Sequence, residues 1–286
     1  MTDKVLFEKD GRIARITLNR PEVLNAIDDE VPALLSAAVA RAETDPEIHV
    51  IILSGAGRGF CAGYELDFDR TEYPLSYMPQ EMPWDPMQDF RSMWANTQHF
   101  MSLWRAMKPV ICKVHGFALA GGSDIALCCD ITIMAESAQI GYMPARVWGC
   151  PTTAMWVYRI GAEKAKRILL TGDKIDGREA AAMGLVLKAV PDEGLDAEVE
   201  ALAERMATVP INQLAMQKMV INQAIEAGGM METQRLATVF DGITRHSPEG
   251  LNFRNRVEET GWRQAVRERD HGNFDWTIYR PIPSNE

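Results

Sequence analysis

Short apolar runs of five or six residues alternate with helical segments along the first two thirds of the chain, and this alternation constrains the fold more than any other feature. Ile13–Leu18 (IARITL) and Val50–Ser54 (VIILS) read as strands, with an Ala- and Leu-rich helix over Asp28–Thr44 between them. The pattern recurs as a strand at Val110–Val114, a helix from about Gly121 to Cys128, a strand at Asp130–Ala135 and another within Gly184–Val190. Apolar strands that alternate with helices define an α/β layered core. From about Leu195 the strand signals stop and three or four amphipathic helices follow, within 196–207, 211–227, 231–245 and 251–270. The expected division is therefore a core over 1–194 and a helical region over 195–286 that packs on the core or on a neighbouring subunit. The segment from Phe68 to Phe90 holds four prolines and several aromatics, and reads as an ordered, irregular loop near a site.

At 286 residues and 47% hydrophobic, the chain has enough apolar mass to bury a large core, so disorder is excluded. The net charge of −10 repels polyphosphate at long range, which argues against a nucleic-acid partner. It leaves room for a local basic patch that binds one small anion. The charged N-terminal stretch lacks the apolar core of a signal peptide, and no apolar run is long enough to span a bilayer. Cys61, Cys112, Cys128, Cys129 and Cys150 are odd in number, lack C-x-x-C spacing and sit partly in apolar runs. Reduced thiols in a cytoplasm are the expectation.

Two segments share one design, VIILSGAGRGFCAGYELD (50–67) and VICKVHGFALAGGSDIALCCD (110–130): an apolar strand, a turn of small residues, then a helical signal with an acid in its first turn. Glycine lets the backbone turn sharply, so amides at the helix start can point at a ligand with the helix dipole behind them. One pair of such amides would make an oxyanion hole. Taken alone, the glycines are equally compatible with two ordinary strand-to-helix turns.

The runs GRIARITLNRPEVLNAI (11–27), GRGFCAGYELD (57–67), KPVICKVHGFALAGGSDIALCCDITIMAESAQIG (108–141) and KAKRILLTGDKIDGREAAAMGLVLKAVP (164–191) resemble, in order and spacing, the crotonase or enoyl-CoA hydratase/isomerase superfamily. The resemblance is continuous over roughly residues 4 to 207. It implies a spiral of ββα turns with a C-terminal helical part that assembles a homotrimer or a dimer of trimers. It implies an acyl-CoA substrate, with coenzyme A as part of that substrate and no separate cofactor or metal. Coenzyme A would lie along Asn25, Ala26, Ala62, Gly63, Glu65 and Leu66. The thioester oxygen would accept hydrogen bonds from the backbone amides of Tyr64 and Gly121, each worth ~3 kcal/mol in the transition state on general precedent. Because these donors are backbone, Tyr64 in place of a small residue changes only the pocket wall.

A hydratase of this family uses two glutamates. The first falls on Asp124, and an ungapped alignment puts Pro144 at the second, twenty residues on, in IGYMPARVWGCP. Proline has no titratable group, and Met143, Ala145 and Arg146 beside it carry no carboxylate. The glycine-rich run that follows is replaced by Pro151-Thr152-Thr153-Ala154, with Trp148 where glycine is usual. Three outcomes are open: Asp124 acts alone with one water, an acid from the loop region (Glu65, Asp67, Asp69 or Asp85) substitutes, or acyl-CoA is bound without turnover. The corresponding functions are hydration, another crotonase reaction such as isomerisation or hydrolysis, and non-catalytic binding.

Elsewhere, His115 reads as a structural hydrogen-bonding residue and Asp130 as a turn closer. The methionines of AMQKMV and EAGGMMETQ read as packing. Arg254, Arg256, Arg263, Arg267 and Arg269 read as a solvated face partnered by Glu258, Glu259 and Glu268, with contact to a coenzyme A phosphate as the alternative. The aromatics Phe274, Trp276 and Tyr279 suggest that the tail docks. No serine elbow and no histidine pair with metal spacing is present.

Overall fold

A computed structural model of the chain describes residues 3–66 and 80–278. Strands β1 (Val5–Asp10) and β2 (Ile13–Leu18) form an antiparallel hairpin, turned at Gly11 with φ +55°. Strands β3 (Val50–Gly55), β4 (Val110–Val114), β6 (Ile131–Ala135) and β9 (Lys188–Val190) then add in parallel, giving a six-stranded sheet in the order β1-β2-β3-β4-β6-β9. A second sheet joins β5 (Phe117–Leu119), β7 (Gln139–Gly141) and β8 (Lys174–Asp176) in the order β5-β7-β8. Successive turns of chain thus lay one strand on each sheet, the spiral of ββα repeats expected for the crotonase fold. Parallel strands covered on both faces need continuous apolar runs, which is why Val50–Leu53 and Val110–Cys112 are fully buried.

Helix α1 (Val31–Thr44) packs on β1 and β2, while α3 (Gly121–Cys128) is buried along its whole length. Two helices fall outside the strand-and-turn pattern. Helix α2 (Pro86–Arg105) begins inside the segment read as irregular; Asp85 caps it by accepting a 2.9 Å bond from Met87 N–H, and Pro86 opens its first turn. The broken appearance of 68–90 therefore holds no further than residue 85 on the described side, and residues 67–79 lie outside the described structure. Helix α4 (Met155–Thr171) contains one non-helical residue, Gly161.

After α5 (Gly177–Met183), the C-terminal part comprises α6 (Leu195–Ala207), α7 (Ile211–Glu226), α8 (Met230–His246), α9 (Pro248–Thr260) and α10 (Trp262–His271). The span 251–270 is two helices rather than one, broken at Gly261, whose φ of +80° no L residue adopts readily. Helix α6 lies across β2, β3, β4 and β6 and completes the core. Helix α7 is pinned by the buried Lys218, which donates to the carbonyls of Leu103 and Lys108 at 3.1 Å and pairs with Asp130 at 2.7 Å. Helix α8 packs on α2, and α10 packs on the short 3₁₀ turn Met143–Arg146. Phe274 and Trp276 dock as expected, with Trp276 against Phe253; Tyr279 lies outside the described residues. Among the described residues, no helix is long and apolar enough to cross a membrane.

Candidate functional site

The two strand-to-helix turns meet. Cys61 bridges Ala118 of β5, and its carbonyl accepts the Leu119 N–H at 2.9 Å. Three residues on, Tyr64 bridges Ile27: Gly63 O accepts from Ile27 N at 2.9 Å and Ile27 O accepts from Glu65 N at 3.0 Å. Gly63 C=O and Tyr64 N–H share one trans peptide plane, so the Tyr64 amide points away from Ile27. Gly121 is the first residue of α3, where its amide has no intrahelical acceptor.

Close approach of these two backbones depends on glycine. A Cβ on Gly63 (φ +98°) would stand 2.8 Å from Ala120 Cβ and 3.3 Å from Gly121 N. A Cβ on Gly121 would strike Tyr64 Cε2 at 2.9 Å. Ala120, between them, holds φ +50° and ψ −124°, a strained backbone for a residue with a side chain. The arrangement brings the Gly63–Tyr64 backbone up against Gly121 at the start of α3.

Both residues line a cavity of about 440 Å³. Asp124, one turn into α3, also lines it and is 2% exposed. Burial pushes its carboxyl up to about 8; a 2.5 Å bond from the Thr153 hydroxyl works against that shift and the neighbouring Asp241 charge adds to it. Thr153 itself is held from α8, because Gln234 donates to its carbonyl at 2.9 Å. Thr152 accepts a 2.7 Å bond from Thr97 of α2. The Thr-Thr pair that stands where glycines are usual is thus a polar strut that orients Asp124. Trp148, at φ +81°, closes the same cavity and packs on Phe253 of α9 at 5.1 Å between ring centroids.

Two further charged residues reach the cavity from α8. Asp241 is 3% exposed, accepts the Cys150 N–H at 2.9 Å and pairs with Arg245 one turn later. Arg245 also reaches the sulfur of Met93. Neither residue stands out in sequence, where 231–245 is one amphipathic helix among several. The only available signal is a polar i,i+4 pair on a helix whose other buried positions include Gln234 and Thr238.

Pro144 lines the cavity, so the absence of a carboxylate at that position is an absence from the site itself. Of the four loop acids expected as substitutes, two, Glu65 and Asp85, belong to the described residues. Asp67 and Asp69 lie outside the described residues. Asp85 is the exposed cap of α2, with its side chain 54% accessible. Glu65 does border the cavity, but its carboxylate is engaged by Arg20 at 2.8 Å.

Along the expected coenzyme stretch, Ala26, Ala62, Glu65 and Leu66 line the cavity. Asn25 instead serves the protein: it accepts from Arg20 N at 2.8 Å and donates to the carbonyls of Ala56 and Gly59 at 2.8 and 2.9 Å. Gly63 contributes its close approach rather than a lining surface. At the mouth, Arg58 and Arg263 are exposed. The arginine face is only partly solvated: Arg254 and Arg256 pair with Glu258, Glu259 and Glu268, but Arg269 is 4% exposed and bonded to Asp270. His115 Nε2 donates to Gly57 O at 2.9 Å, and Asp130 accepts the Val110 amide at 2.7 Å, both structural as expected. Among the described residues, all five cysteines are free.

Residues 8–254 match the Enoyl-CoA hydratase/isomerase family. The chain belongs to the enoyl-CoA hydratase/isomerase, or crotonase, family. It is similar to an enoyl-CoA hydratase of Mycobacterium smegmatis whose crystal structure superposes with a TM-score of 0.88, at 46% identity over 94% of each chain. Among curated relatives, the "Probable enoyl-CoA hydratase, mitochondrial" of Dictyostelium discoideum is 32% identical across 86% of this chain and 85% of its own length. The 1,2-epoxyphenylacetyl-CoA isomerase of Escherichia coli is also 32% identical, over 84% of this chain and 87% of its own.

Family membership accounts for the spiral. It leaves the reaction open, because a curated hydratase and a curated isomerase are each 32% identical to this chain.

Proposed function

We propose that the chain is an enoyl-CoA hydratase-type enzyme that acts on an acyl-CoA thioester through an enolate held by the backbone amides of Tyr64 and Gly121, with Asp124 as acid–base residue. The observation that carries this reading is the convergence of those two amides at the head of a cavity that also holds a buried, proton-retaining carboxyl. Addition to a conjugated thioester drives electron density onto the thioester oxygen, and two waiting N–H groups lower the cost of that charge. A carboxyl raised to about 8 is still a carboxylic acid at neutral pH, suited to deliver a proton to the α-carbon of the enolate.

Coenzyme A would run out past Ala26, Ala62 and Leu66, with the exposed guanidinium groups of Arg58 and Arg263 available to its phosphates. No cofactor beyond the substrate's own coenzyme enters this scheme. The helical region supports a homotrimer or dimer of trimers, since α7 presents Met216, Val220 and Ile221 at 54–70% exposure. Of the methionines read as packing, Met230 is buried in the core as expected, whereas Met216, Met219 and Met231 face outward in the single chain. Five free thiols fit a reducing compartment such as the cytoplasm.

Steady-state hydration of trans-2-enoyl-CoAs of graded chain length tests the reading. Turnover on at least one, with kcat lowered ~1000-fold by Asp124→Asn and coenzyme binding retained, is expected. Tight binding with no turnover on any chain length would replace the enzyme by an acyl-CoA binder.

A further inference from the structure

The mechanism above uses one carboxyl where water addition benefits from two, and the cavity contains another. Asp241 and Arg245 line it together with Asp124, Pro144, Trp148 and Thr152. A buried ion pair contributes little to stability, and apolar side chains of similar volume commonly replace one without loss. This pair is placed against a ligand-sized space instead of inside a core, and it is anchored from two sides. Arg245 holds one carboxylate oxygen, and the Cys150 N–H donates to the other at 2.9 Å. Cys150 belongs to the loop that starts at Pro144, so the backbone that lacks the acid is bonded to the acid supplied from α8.

From these positions we infer that Asp241 is the second catalytic carboxylate of the acyl site, taking the role that Pro144 cannot fill, with Arg245 as the residue that positions it. The inference rests on the reading of the cavity as an acyl-CoA hydration site. The environments of the two acids differ in the required sense. Burial pushes both carboxyls up, but at Asp241 a guanidinium and a backbone amide oppose that shift, whereas Asp124 has only a neutral hydroxyl as its bonded partner. The other titratable groups facing Asp241 are Asp89 of α2, Tyr64, Tyr142 and Cys150.

In hydration, the Asp241 carboxylate takes a proton from water as the water oxygen bonds to the β-carbon. The displaced π electrons move to the thioester oxygen, where the Tyr64 and Gly121 amides hold them. The carbonyl re-forms as the α-carbon takes the proton of Asp124. One H and one OH have then been added, Asp241 is protonated and Asp124 ionised, and proton exchange with solvent at the cavity mouth resets both.

Two readouts test this. The first is hydration by wild type, Asp241→Asn, which keeps shape and the bond to Arg245, and Asp241→Glu. Asp241→Asn should lower kcat at least ~100-fold with KM little changed and remove the acidic limb of the kcat pH profile, and Asp241→Glu should recover part of the loss. The second needs no turnover: acetoacetyl-CoA is bound to each protein and its enolate absorbance is titrated with pH. Removing a negative charge beside the acyl group should lower the pH at which the bound ligand enolises by ~1 unit. An Asp241→Asn protein with kcat within threefold of wild type, or with an unmoved enolate titration, would overturn the proposal. A wild type inert towards every enoyl-CoA but with the enolate titration shifted by Asp241→Asn would remove hydration and still place Asp241 at the acyl group.

Discussion

Asp124 carries a cost that is visible in its surroundings. It is buried at the start of a wholly buried helix, and burial pushes its carboxyl up to about 8 from the ordinary 3.8 of an aspartate. Below pH ~4 both folded and unfolded chains hold the proton, so this burial has no pH-dependent penalty. Between pH ~4 and ~8 the unfolded chain releases a proton that the folded one keeps, and stability falls as pH rises. Asp124→Asn should therefore match wild type near pH 4 and exceed it by ~5 kcal/mol at pH 8, measured by urea denaturation at each pH. No gain at pH 8 would mean that Asp124 is ionised in the fold. The acid itself was legible from its place after Gly121 and Gly122. Its strut, Thr153, read only as added bulk, because a sequence does not say which neighbour a hydroxyl will face.

At the scale of elements, α2 shows why a proline-rich stretch misleads. Pro86 lacks an N–H, but the first turn of a helix has no use for one there, and Asp85 satisfies the Met87 amide. Asp85→Ala should lower global stability by ~1 kcal/mol in chemical denaturation, with Asp85→Asn close to wild type. The kcat of either variant should be unchanged, since this exposed side chain faces solvent. A large fall in kcat would restore Asp85 as a loop-derived acid. Strands β2 and β4 and helix α3 coincide with their sequence limits because continuous apolar runs and Gly-led starts are local signals. The division of 251–270 into α9 and α10 was harder to see, since amphipathic periodicity continues across Gly261.

For the whole molecule, the assembly proposed above rests on the face of α7. Val220 is 70% exposed, with Ile221 and Met216 close to it along the same helix, a surface that a soluble monomer seldom keeps. Sedimentation should give three or six times the mass of one chain, and Val220→Glu should shift it towards the monomer; a monomeric wild type would end that proposal. Sequence alone determined the apolar strands, the acid after Gly121 and Gly122 and the lack of a carboxylate at Pro144, because each is written in residues close together along the chain, and resemblance to the family supplied the spiral. Tertiary structure alone decided that Asp241 and Arg245, far along the chain on α8, enter the same cavity as Asp124. The physical reason is that helical periodicity sets which residues share a face of α8, while only the packing of α8 on α2 sets what that face meets.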